Sequence, residues 1–354
     1  MASAKVTVFT ADGSKAPTRS RGTLRALHVI PGLPDGSLMI FARRESASLK
    51  YADIEVRQFF LRSRTSPVCL VKELFRFRRE IQDFRPHVVH AHFGTVTALF
   101  CALATALPLV VTFRGSDLNP WPTMNALRPL IGRLFSQLAA LRASQIICVT
   151  KQLKDRLWWR SDHATVMPGC VDLRLFCPRP RDEARATLRW SLTNKIVLFN
   201  AGTAPRTKRL DLAKAALQEA NKLAGGIKMI VLNGDTDPNA IPLYLNAADC
   251  LLVTSDWEGS PYIVKEALSC DLPIVSVDVG NVAERVKGVT PSRIVPRDSH
   301  ALGRALLEVL SLGCRSNGHL ATLDLSEDKV AERIRSIYER IVSRDRTAAS
   351  RNVH

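Results

Sequence analysis

Two carboxylates eight positions apart bracket a predicted helix start in SDWEGSPYIVKEALSCD, residues 255–271. Ser260 is a favourable N-cap and Pro261 suits the first helical position, so we expect the helix to begin there. Glu258 then lies just before the N-terminus and Glu266 lies inside the helix. Unpaired N–H groups and partial positive charge at this end suit an anionic or polyhydroxylated ligand. The spacing alone fits two surface glutamates on a solvated helix start equally well.

Short apolar, β-branched segments alternate with helical patterns along the chain, which is typical of parallel-sheet α/β architecture. The predicted strands form two series: 25–30, 53–60, 87–90, 107–113, 145–149 and 164–167, then 195–200, 227–233, 249–255, 272–278 and 292–296. Between the series, the proline- and charge-rich segment 168–183 is the predicted interdomain link. We therefore expect two doubly wound domains, with a ligand in the cleft at the carboxyl ends of their strands.

Four segments follow from this pattern. Residues 1–22 are rich in Ser, Thr, Lys and Arg without an apolar stretch, and we expect a flexible basic tail rather than a signal peptide. The first domain is predicted over 23–172 and the second over 173–325. Residues 326–346 are predicted to form an amphipathic helix that packs back on the body, followed by a disordered end.

The 354-residue chain is strongly basic, with a net charge of +17. Residues 1–172 carry 24 lysines and arginines against 12 acidic residues, and residues 173–354 carry 26 against 21. Such a field favours phosphorylated ligands, anionic lipid headgroups or nucleic acid. No nucleic-acid recognition motif accompanies the charge, so we expect no specific nucleic-acid partner.

Eight cysteines without a C-x-x-C pair lie mostly in apolar segments. They indicate buried reduced thiols in a cytoplasmic compartment, and they argue against a zinc site or a disulfide scaffold. The longest uncharged stretch, 93–113, is long enough to span a bilayer, but Pro108 and several threonines favour a helix followed by a buried strand.

Taken together, five blocks in the same order resemble the retaining glycosyltransferases of family 4. The blocks are HVVHAHFGTVTAL, VVTFRGSDL, VMPGCVDLRLFCP, IPLYLNAADCLLVTS and the E-x7-E motif EGSPYIVKE with its continuation ALSCDLPIVSVDVGNVAERV. The resemblance covers residues 25 to about 342. It implies the GT-B fold, in which two Rossmann-like domains face each other across a cleft, and it makes the two carboxylates candidate site residues.

The resemblance implies a role for each part of the E-x7-E segment. Glu266 would bind the ribose hydroxyls of a nucleotide. Glu258, with the N–H groups of Gly259 and Ser260, would orient the donor sugar, because turn amides and carboxylates suit sugar hydroxyls and phosphates. The expected donor-binding residues also include the rest of this turn and the glycine of an earlier loop: Pro261, Tyr262 and Gly202.

A second implied site lies in NAGTAPRTKRLDLAKAAL, residues 200–217. Cationic side chains there would neutralise the donor diphosphate as it departs. The family usually has an arginine directly after the loop glycine and a lysine several residues later. Here Thr203 takes the arginine position and Lys208 is kept, so we expect Lys208 and Arg206 to act, with Arg209 as the other candidate. A solvated basic loop is the alternative.

The first domain departs from the family pattern at two positions. Gly36, in PGLPDGSLMIFARRE, replaces a Gly-Gly loop and is expected to lead into a helix that faces the phosphate. Arg114, in VVTFRGSD, stands where the family often has a histidine near the reacting sugar. Arg114 is predicted either to pair with Asp117 or to contact a phosphate or an acidic sugar as a planar fork. Gly36 and Asp117 are assigned to the acceptor side.

Two histidines end the strand in HVVHAHFG. We expect their side chains to point to opposite faces, so that His92 lines the acceptor side of the cleft and His90 packs in the core.

The implied mechanism uses no metal and no cofactor other than a UDP- or GDP-linked sugar as co-substrate. We find no Ser-His-Asp triad, glycosidase-type carboxylate pair or Asp-x-Asp motif. Retention would follow front-face attack, in which the acceptor hydroxyl gives its proton to the departing phosphate. Only residues 235–240 lie where the family inserts a further strand and helix, which leaves the identity of the base open.

The acceptor is expected to be a glycan or a lipid-linked molecule, because the first domain is the more basic. The helical segment 66–86 has an apolar side and several arginines, as an interfacial helix has, and predicts peripheral binding to the cytoplasmic face of a membrane. A cover helix on the sheet is the alternative. Competing functions are a catalytically silent sugar-nucleotide-binding partner subunit and a GT-B nucleotide-sugar epimerase.

Overall fold

The computed structural model describes residues 23–35, 39–119 and 127–351, and these contain two parallel β-sheets. The first has the order β2-β1-β3-β4-β5-β6 and the second β11-β10-β9-β7-β8. The strands are β1 (Leu24–Pro31), β2 (Ile54–Leu61), β3 (Val88–His92), β4 (Leu109–Phe113), β5 (Gln145–Cys148), β6 (Ala164–Val166), β7 (Lys195–Gly202), β8 (Ile227–Asn233), β9 (Cys250–Val253), β10 (Ile274–Val277) and β11 (Arg293–Val295). Every predicted strand is present, and the predicted GT-B fold class is confirmed.

Helices connect these strands, because parallel neighbours need a crossover. They are α1 (Ile40–Ser48), α2 (Pro67–Phe84), α3 (Thr95–Ala104), α4 (Leu127–Arg142), α5 (Lys151–Asp155), α6 (Arg181–Leu188), α7 (Leu210–Leu223), α8 (Ile241–Ala247), α9 (Tyr262–Ser269), α10 (Val282–Arg285), α11 (Ser299–Leu312) and α12 (Glu327–Arg351). The second sheet ends at β8, and the connection from β8 to α8 is short. That this sheet lacks one unit of the family pattern stays a prediction, as do the domain boundaries.

The last helix, α12, packs on the first sheet although it follows the second one in sequence. Its buried face includes Val330, Ile334 and Ile337, which join a core cluster with Ala26 and Val110 of the first sheet. The chain therefore returns to the first sheet. The helix continues to Arg351, so the expectation of a disordered end after residue 346 is wrong over this stretch.

The apolar side of α2 covers the first sheet. Phe77 and Phe84 are buried there, and three further residues pack against the same cluster: Leu70, Leu74 and Ile81. The prediction that this face binds a membrane is therefore wrong, because the sheet already occupies it. Within the described residues, no helix is both long enough and apolar enough to cross a bilayer, and residues 93–113 divide into α3 and β4.

Candidate active site

A cavity of about 380 Å³ lies between the two sheets, and residues of both line it. It is found where the carboxyl ends of β4, β7 and β8 meet α1 and the start of α9, as expected for parallel sheets. The lining residues used below are Phe41, Arg44, Arg114, Gly169, Asn200, Lys208, Asn233, Thr236, Glu258, Gly259, Ser260, Pro261, Tyr262 and Glu266. Both carboxylates of the E-x7-E motif therefore face the same cavity.

The turn before α9 differs by one residue from the prediction. The helix begins at Tyr262, and its N-cap is Pro261 rather than Ser260. The Ser260 hydroxyl is consequently not used as a cap, and it is buried at the cavity without a hydrogen-bond partner in the described part of the chain. Leaving a buried polar group unpaired costs about 1–3 kcal/mol. A ligand hydroxyl or phosphate oxygen would satisfy it.

Lys208 and Glu258 form an ion pair at the cavity. Lys208 Nζ lies 2.5 Å from Glu258 Oε1, and the Ser255 hydroxyl donates to the same oxygen at 2.8 Å. The Lys208 side chain is 23% exposed and that of Glu258 12% exposed. The ammonium group of Lys208 and the carboxylate of Glu258 thus both line the cavity. A phosphate that entered the cavity would compete with Glu258 for Lys208.

Glu266 lies on the second turn of α9 with its side chain 12% exposed, and it forms an ion pair with Arg44 from α1. Arg44 Nη1 lies 3.6 Å from Glu266 Oε1. Burial raises the pKa of Glu266 to about 7, although Arg44 and the adjacent Lys265 both act to lower it. Burial also lowers the pKa of Lys265 to about 7. Lys265 Nζ donates to the carbonyl oxygen of Gly169 at 2.9 Å and lies 3.6 Å from the centre of the Tyr262 ring.

Arg114 is held by side chains from both domains. One terminal nitrogen, Nη2, lies 3.0 Å from Glu45 Oε1 and 2.7 Å from His92 Nδ1, and Nη1 donates to the Tyr262 hydroxyl at 3.4 Å. Its Nε has no hydrogen-bond partner among residues 23–35, 39–119 and 127–351. The Tyr262 ring also stacks on Phe41, with centroids 5.1 Å apart. The wall that Arg114 forms is thus fixed before any ligand binds.

Asp117 does not pair with the Arg114 guanidinium, and that alternative is wrong. Its carboxylate instead accepts main-chain N–H groups of Gly94, Arg114 and Gly115 at 2.8–3.1 Å. Asp117 therefore shapes the turn after β4 that carries Arg114. The residue is 1% exposed and does not line the cavity.

His90 and His92 point to the same face of β3, with ring centroids 4.2 Å apart. The prediction of opposite faces is wrong, because side chains two positions apart on a strand share a face. Both residues are fully buried. His90 packs in the core as expected, whereas His92 lies behind Arg114 and does not itself line the cavity. His28 of β1 completes a cluster whose ring nitrogens lie within 4.8 Å of one another, close enough in principle to hold a metal ion.

Two glycines allow close backbone contacts at the turn before α9, one of them between the two domains. A Cβ atom on Gly259 would lie 2.3 Å from the carbonyl oxygen of Arg114, and one on Gly280 would lie 2.3 Å from the carbonyl oxygen of Gly259. Real Cβ atoms essentially never approach a non-bonded atom this closely. Only glycine at position 259 therefore lets the α9 turn touch the β4 turn without displacement.

The fold of the chain is similar to that of a solved protein. Sucrose-phosphate synthase from Thermosynechococcus elongatus superimposes with a TM-score of 0.71, at 17% identity, over 90% of this chain and 99% of that one. This likeness concerns the fold alone.

Family models match both halves of the chain. Residues 2–175 match Glycosyltransferase Family 4, and residues 183–311 match Glycosyl transferases group 1. The chain belongs to the group 1 glycosyltransferases of the GT-B fold. TuaC of Bacillus subtilis (strain 168), named as a teichuronic acid biosynthesis glycosyltransferase, is 26% identical over 249 residues. The match spans 64% of this chain and only 61% of TuaC.

A second relative of this group 1 chain is the Escherichia coli UDP-Gal:alpha-D-GlcNAc-diphosphoundecaprenol alpha-1,3-galactosyltransferase. It is 26% identical over 276 residues, which cover 67% of this chain and 71% of that protein.

Besides Asp117 and His92, three expected site residues of this glycosyltransferase-family chain lie elsewhere or outside the described part. Arg206 is exposed and does not line the cavity, so the structure does not bring it to the site. Gly202 ends β7 with a positive φ of 51° and lies next to the cavity-lining Asn200, whose side chain accepts its N–H. Gly36 is outside the described residues. The other candidate of the loop, Arg209, pairs with Asp211 and Asp256.

Sequence reasoning missed the contribution of α1 and of the β8–α8 connection. Phe41, Arg44 and Glu45 of α1 contact Tyr262, Glu266 and Arg114. The signal was present in the charged ARRE of a predicted helix that follows the first strand, since such helices start at the ligand edge of the sheet. Asn233 lines the cavity from the end of β8, and Thr236 lines it from the short connection that follows, where the sequence pattern indicates only a shortened unit.

Proposed function

We propose that this protein is a retaining glycosyltransferase that moves a sugar from a UDP-sugar to a hydroxyl of a glycan or lipid-linked acceptor in polysaccharide or glycolipid biosynthesis. One observation carries the proposal: Glu258, Ser260, Glu266 and Lys208 converge on one cavity at the carboxyl edge of the second sheet. The family membership supports the reaction class. The name of the E. coli relative contains both a UDP-sugar and a diphosphoundecaprenol acceptor, which supports these classes of substrate.

Each group in the cavity has a distinct part in the proposed reaction. Ionised Glu266 accepts hydrogen bonds from the two ribose hydroxyls. The Ser260 hydroxyl and the turn N–H groups bind the sugar and the diphosphate. Lys208 exchanges Glu258 for the leaving phosphate, and its charge stabilises the negative charge that develops there.

The proposed transfer needs no protein nucleophile. The bond between the sugar C1 and the phosphate oxygen breaks while the acceptor oxygen bonds to C1 from the same side. The acceptor proton passes to the departing phosphate oxygen, so atoms and charges balance without a metal. We propose that Asn233 and Thr236 contact the base, because they line the cavity on the β8 side.

Calorimetric titration with UDP, GDP and their common sugar conjugates tests the donor site. We expect saturable binding of the UDP series. Glu266→Ala and Lys208→Ala should weaken it roughly 10- to 100-fold, because hydrogen bonds to charged groups contribute about 1.5–3 kcal/mol. Lys222→Ala, on the exposed side of α7, is the matched control and should bind normally.

Product analysis then separates the competing functions. Incubation with a UDP-sugar and lipid-linked or glycan acceptors should give a product whose new linkage has the anomeric configuration of the donor. UDP-sugar binding without any product would favour the silent partner subunit, and a changed UDP-sugar formed without an acceptor would favour the epimerase. No nucleotide binding at all would refute the donor site.

We also propose that α4 docks the protein on an anionic membrane. Six of its large apolar side chains face solvent, with exposures between 40% and 68%, and they form a helical stripe: Leu127, Leu130, Ile131, Leu134, Leu138 and Leu141. The residues that α4 buries are instead small or polar: Ser136, Gln137, Ala139 and Ala140. This is the reverse of an ordinary cover helix.

The positive charge of α4 favours an anionic membrane over an apolar protein surface as the partner of this stripe. The helix carries Arg128, Arg133 and Arg142 and contains no acidic residue. Apolar side chains beside arginines bind the boundary between anionic headgroups and acyl chains. We therefore assign membrane binding to α4 instead of α2, because the first sheet already covers the apolar face of α2 that was expected to bind the membrane.

Vesicle flotation tests the α4 proposal directly. The wild-type protein should float with phosphatidylglycerol-containing vesicles at moderate salt, and the double variant Leu130→Asp/Leu134→Asp should not. Phe75→Asp on α2, which is also exposed, is the control and should float like the wild type. Flotation lost only in Phe75→Asp would overturn the choice of helix, and no flotation of the wild type would overturn membrane docking.

A further inference from the structure

A chain of buried hydrogen bonds connects the cavity wall to the C-terminal helix. From Arg114 Nη2 it passes to His92 Nδ1 at 2.7 Å, from His92 Nε2 to His28 Nδ1 at 2.7 Å, and from His28 Nε2 to the Tyr338 hydroxyl at 2.9 Å. That hydroxyl also meets His90 Nδ1 at 2.6 Å, and His90 Nε2 meets the Thr112 hydroxyl at 2.7 Å. All three histidines and Tyr338 are fully buried.

The arginine at one end determines the direction of every bond in the chain. A guanidinium only donates, so His92 Nδ1 must accept and His92 must carry its proton on Nε2. His28 Nδ1 then accepts that proton, which places the proton of His28 on Nε2, facing Tyr338. The Tyr338 hydroxyl accepts from His28 and therefore donates to His90 Nδ1. The last proton, on His90 Nε2, points to Thr112.

We propose that Tyr338 of α12 is a positioning residue for the glycosyl-transfer site, acting through the three histidines on Arg114. Its hydroxyl is the group that accepts from one histidine and donates to another. Without it, His28 keeps an unpaired buried donor or exchanges its tautomer. If His28 changed its tautomer, His92 would have to change its tautomer as well. The proton on His92 Nδ1 would then face the Arg114 guanidinium, which can only donate.

The chain also gives α12 a specific reason to return to the first domain. Apolar packing alone would hold the helix on the sheet, but it would not require a hydroxyl at position 338. Through that hydroxyl, the segment that follows the second domain contacts the same hydrogen-bonded set as Glu45 and Arg114 at the cavity. The inference rests on the proposed function only for the effect on turnover.

A metal ion at the three histidines is the competing interpretation of this cluster. In the observed arrangement, each histidine uses both ring nitrogens in hydrogen bonds, and the Arg114 guanidinium lies 2.7 Å from one of them. A divalent cation beside this guanidinium would be repelled. Burial lowers the pKa of all three imidazoles, to about 3 for His28, which agrees with neutral rings.

Nuclear magnetic resonance of the full-length protein with ¹⁵N-histidine tests the chain independently of activity. Long-range ¹H–¹⁵N spectra distinguish the tautomers, and substitution of each histidine by glutamine assigns its signals. We expect His28, His90 and His92 all to be neutral with the proton on Nε2. A proton on Nδ1 of any of them, a charged ring at neutral pH, or signals that move on addition of zinc would overturn the proposal.

Kinetics of Tyr338→Phe test the positioning role. We expect kcat to fall roughly tenfold, as for one hydrogen bond of about 1.5 kcal/mol, with shifted His92 signals and unchanged affinity for UDP, which binds the opposite wall. Tyr244→Phe, on α8, is the control and should behave as the wild type. Lower stability with unchanged kcat and unchanged His92 signals would show a merely structural role. Absence of turnover in the wild type would refute the proposed function. The measured histidine tautomers would still test the proposed chain of hydrogen bonds.

Discussion

The two walls of the cavity use their polar side chains in opposite ways. On the second-domain wall, Lys208 and Glu258 are 23% and 12% exposed, and the Ser260 hydroxyl has no partner within the described residues. On the first-domain wall, the Arg114 and Glu45 side chains are each only 4% exposed, and their bonds continue into the protein. The first arrangement leaves capacity for a ligand, whereas the second fixes a geometry. The proposed donor site and the proposed positioning wall thus differ in whether their polar groups remain available to a ligand or bond to the protein interior.

The sharpest test of this difference replaces one carboxylate on each wall by its amide. Glu45→Gln should lower the free energy of unfolding by about 3–5 kcal/mol, because it leaves Arg114 buried without a counter-charge. Glu258→Gln should cost about 1 kcal/mol or less, since its ion pair is partly exposed, but it should impair turnover. Urea unfolding and initial rates, measured on both variants, give the four values.

Equal losses of stability in the two variants would break the comparison. Such a result would mean that the Lys208–Glu258 pair contributes as much to the stability of the fold as the Arg114–Glu45 pair does. Normal turnover in Glu258→Gln would separately show that the carboxylate is dispensable for the reaction.

A smaller effect is expected where the walls touch. Gly259→Ala adds a Cβ atom that would lie 2.3 Å from the carbonyl oxygen of Arg114, so the α9 turn must move away from the β4 turn. A displacement of about 1 Å at a reacting centre can reduce the rate about 100-fold, and by this criterion we expect turnover to slow roughly 10- to 100-fold. Small-angle scattering should show whether the domains also separate.

The matched control for this variant is Gly132→Ala on α4. There the new Cβ atom meets Thr95 Cγ2 at 3.3 Å, a contact that a small side-chain shift relieves. Normal turnover in both variants would show that the close approach of the two turns is not needed for the reaction.

The sequence predicted the strands and the cavity's second-domain wall better than its first-domain wall. Glu258 and Glu266 belong to one short segment, so their spacing along the chain translates directly into positions on a turn and a helix. Arg114, Glu45 and His92 come from β4, α1 and β3, and their contacts depend on tertiary packing that no local pattern specifies. Strand alternation alone would have placed His90 and His92 on the same face.

The same reason explains one error and one omission in the predicted helices. The apolar stripe of α2 has the periodicity of an interfacial helix, but a cover helix has it as well, and only packing distinguishes them. The outward stripe of α4 is not evident from the sequence, because a sequence does not show which face of a helix meets the sheet. The prediction of Ser260 as N-cap and Pro261 as first helical residue was wrong by one residue, a difference that is common at helix ends.

The smallest predicted effect concerns the pH dependence of the proposed donor-binding wall. Burial raises the pKa of Glu266 to about 7 from the ordinary 4.5, so the folded protein retains this proton more tightly than the unfolded chain. The contribution of Glu266 to stability therefore decreases as the pH rises from about 4.5 to about 7. Ribose hydroxyls donate to the ionised carboxylate, so affinity for a UDP-sugar should increase over the range in which Glu266 loses its proton.

Calorimetry with a UDP-sugar checks this expectation, because its diphosphate is esterified at both ends and does not titrate there. Affinity should rise by up to about tenfold between about pH 6 and about pH 8, as one ionisation centred near 7 requires. Arg44 stays charged in this range, but burial lowers the pKa of Lys265 to about 7, so Lys265 titrates too. The variant Glu266→Gln retains Lys265, so any pH dependence of donor affinity that remains in this variant is due to Lys265 rather than to Glu266. A flat profile in the wild type, or an equal slope in Glu266→Gln, would show that ionisation of Glu266 does not control donor binding, and the contrast between an adjustable donor wall and a fixed opposite wall would then rest on exposure alone.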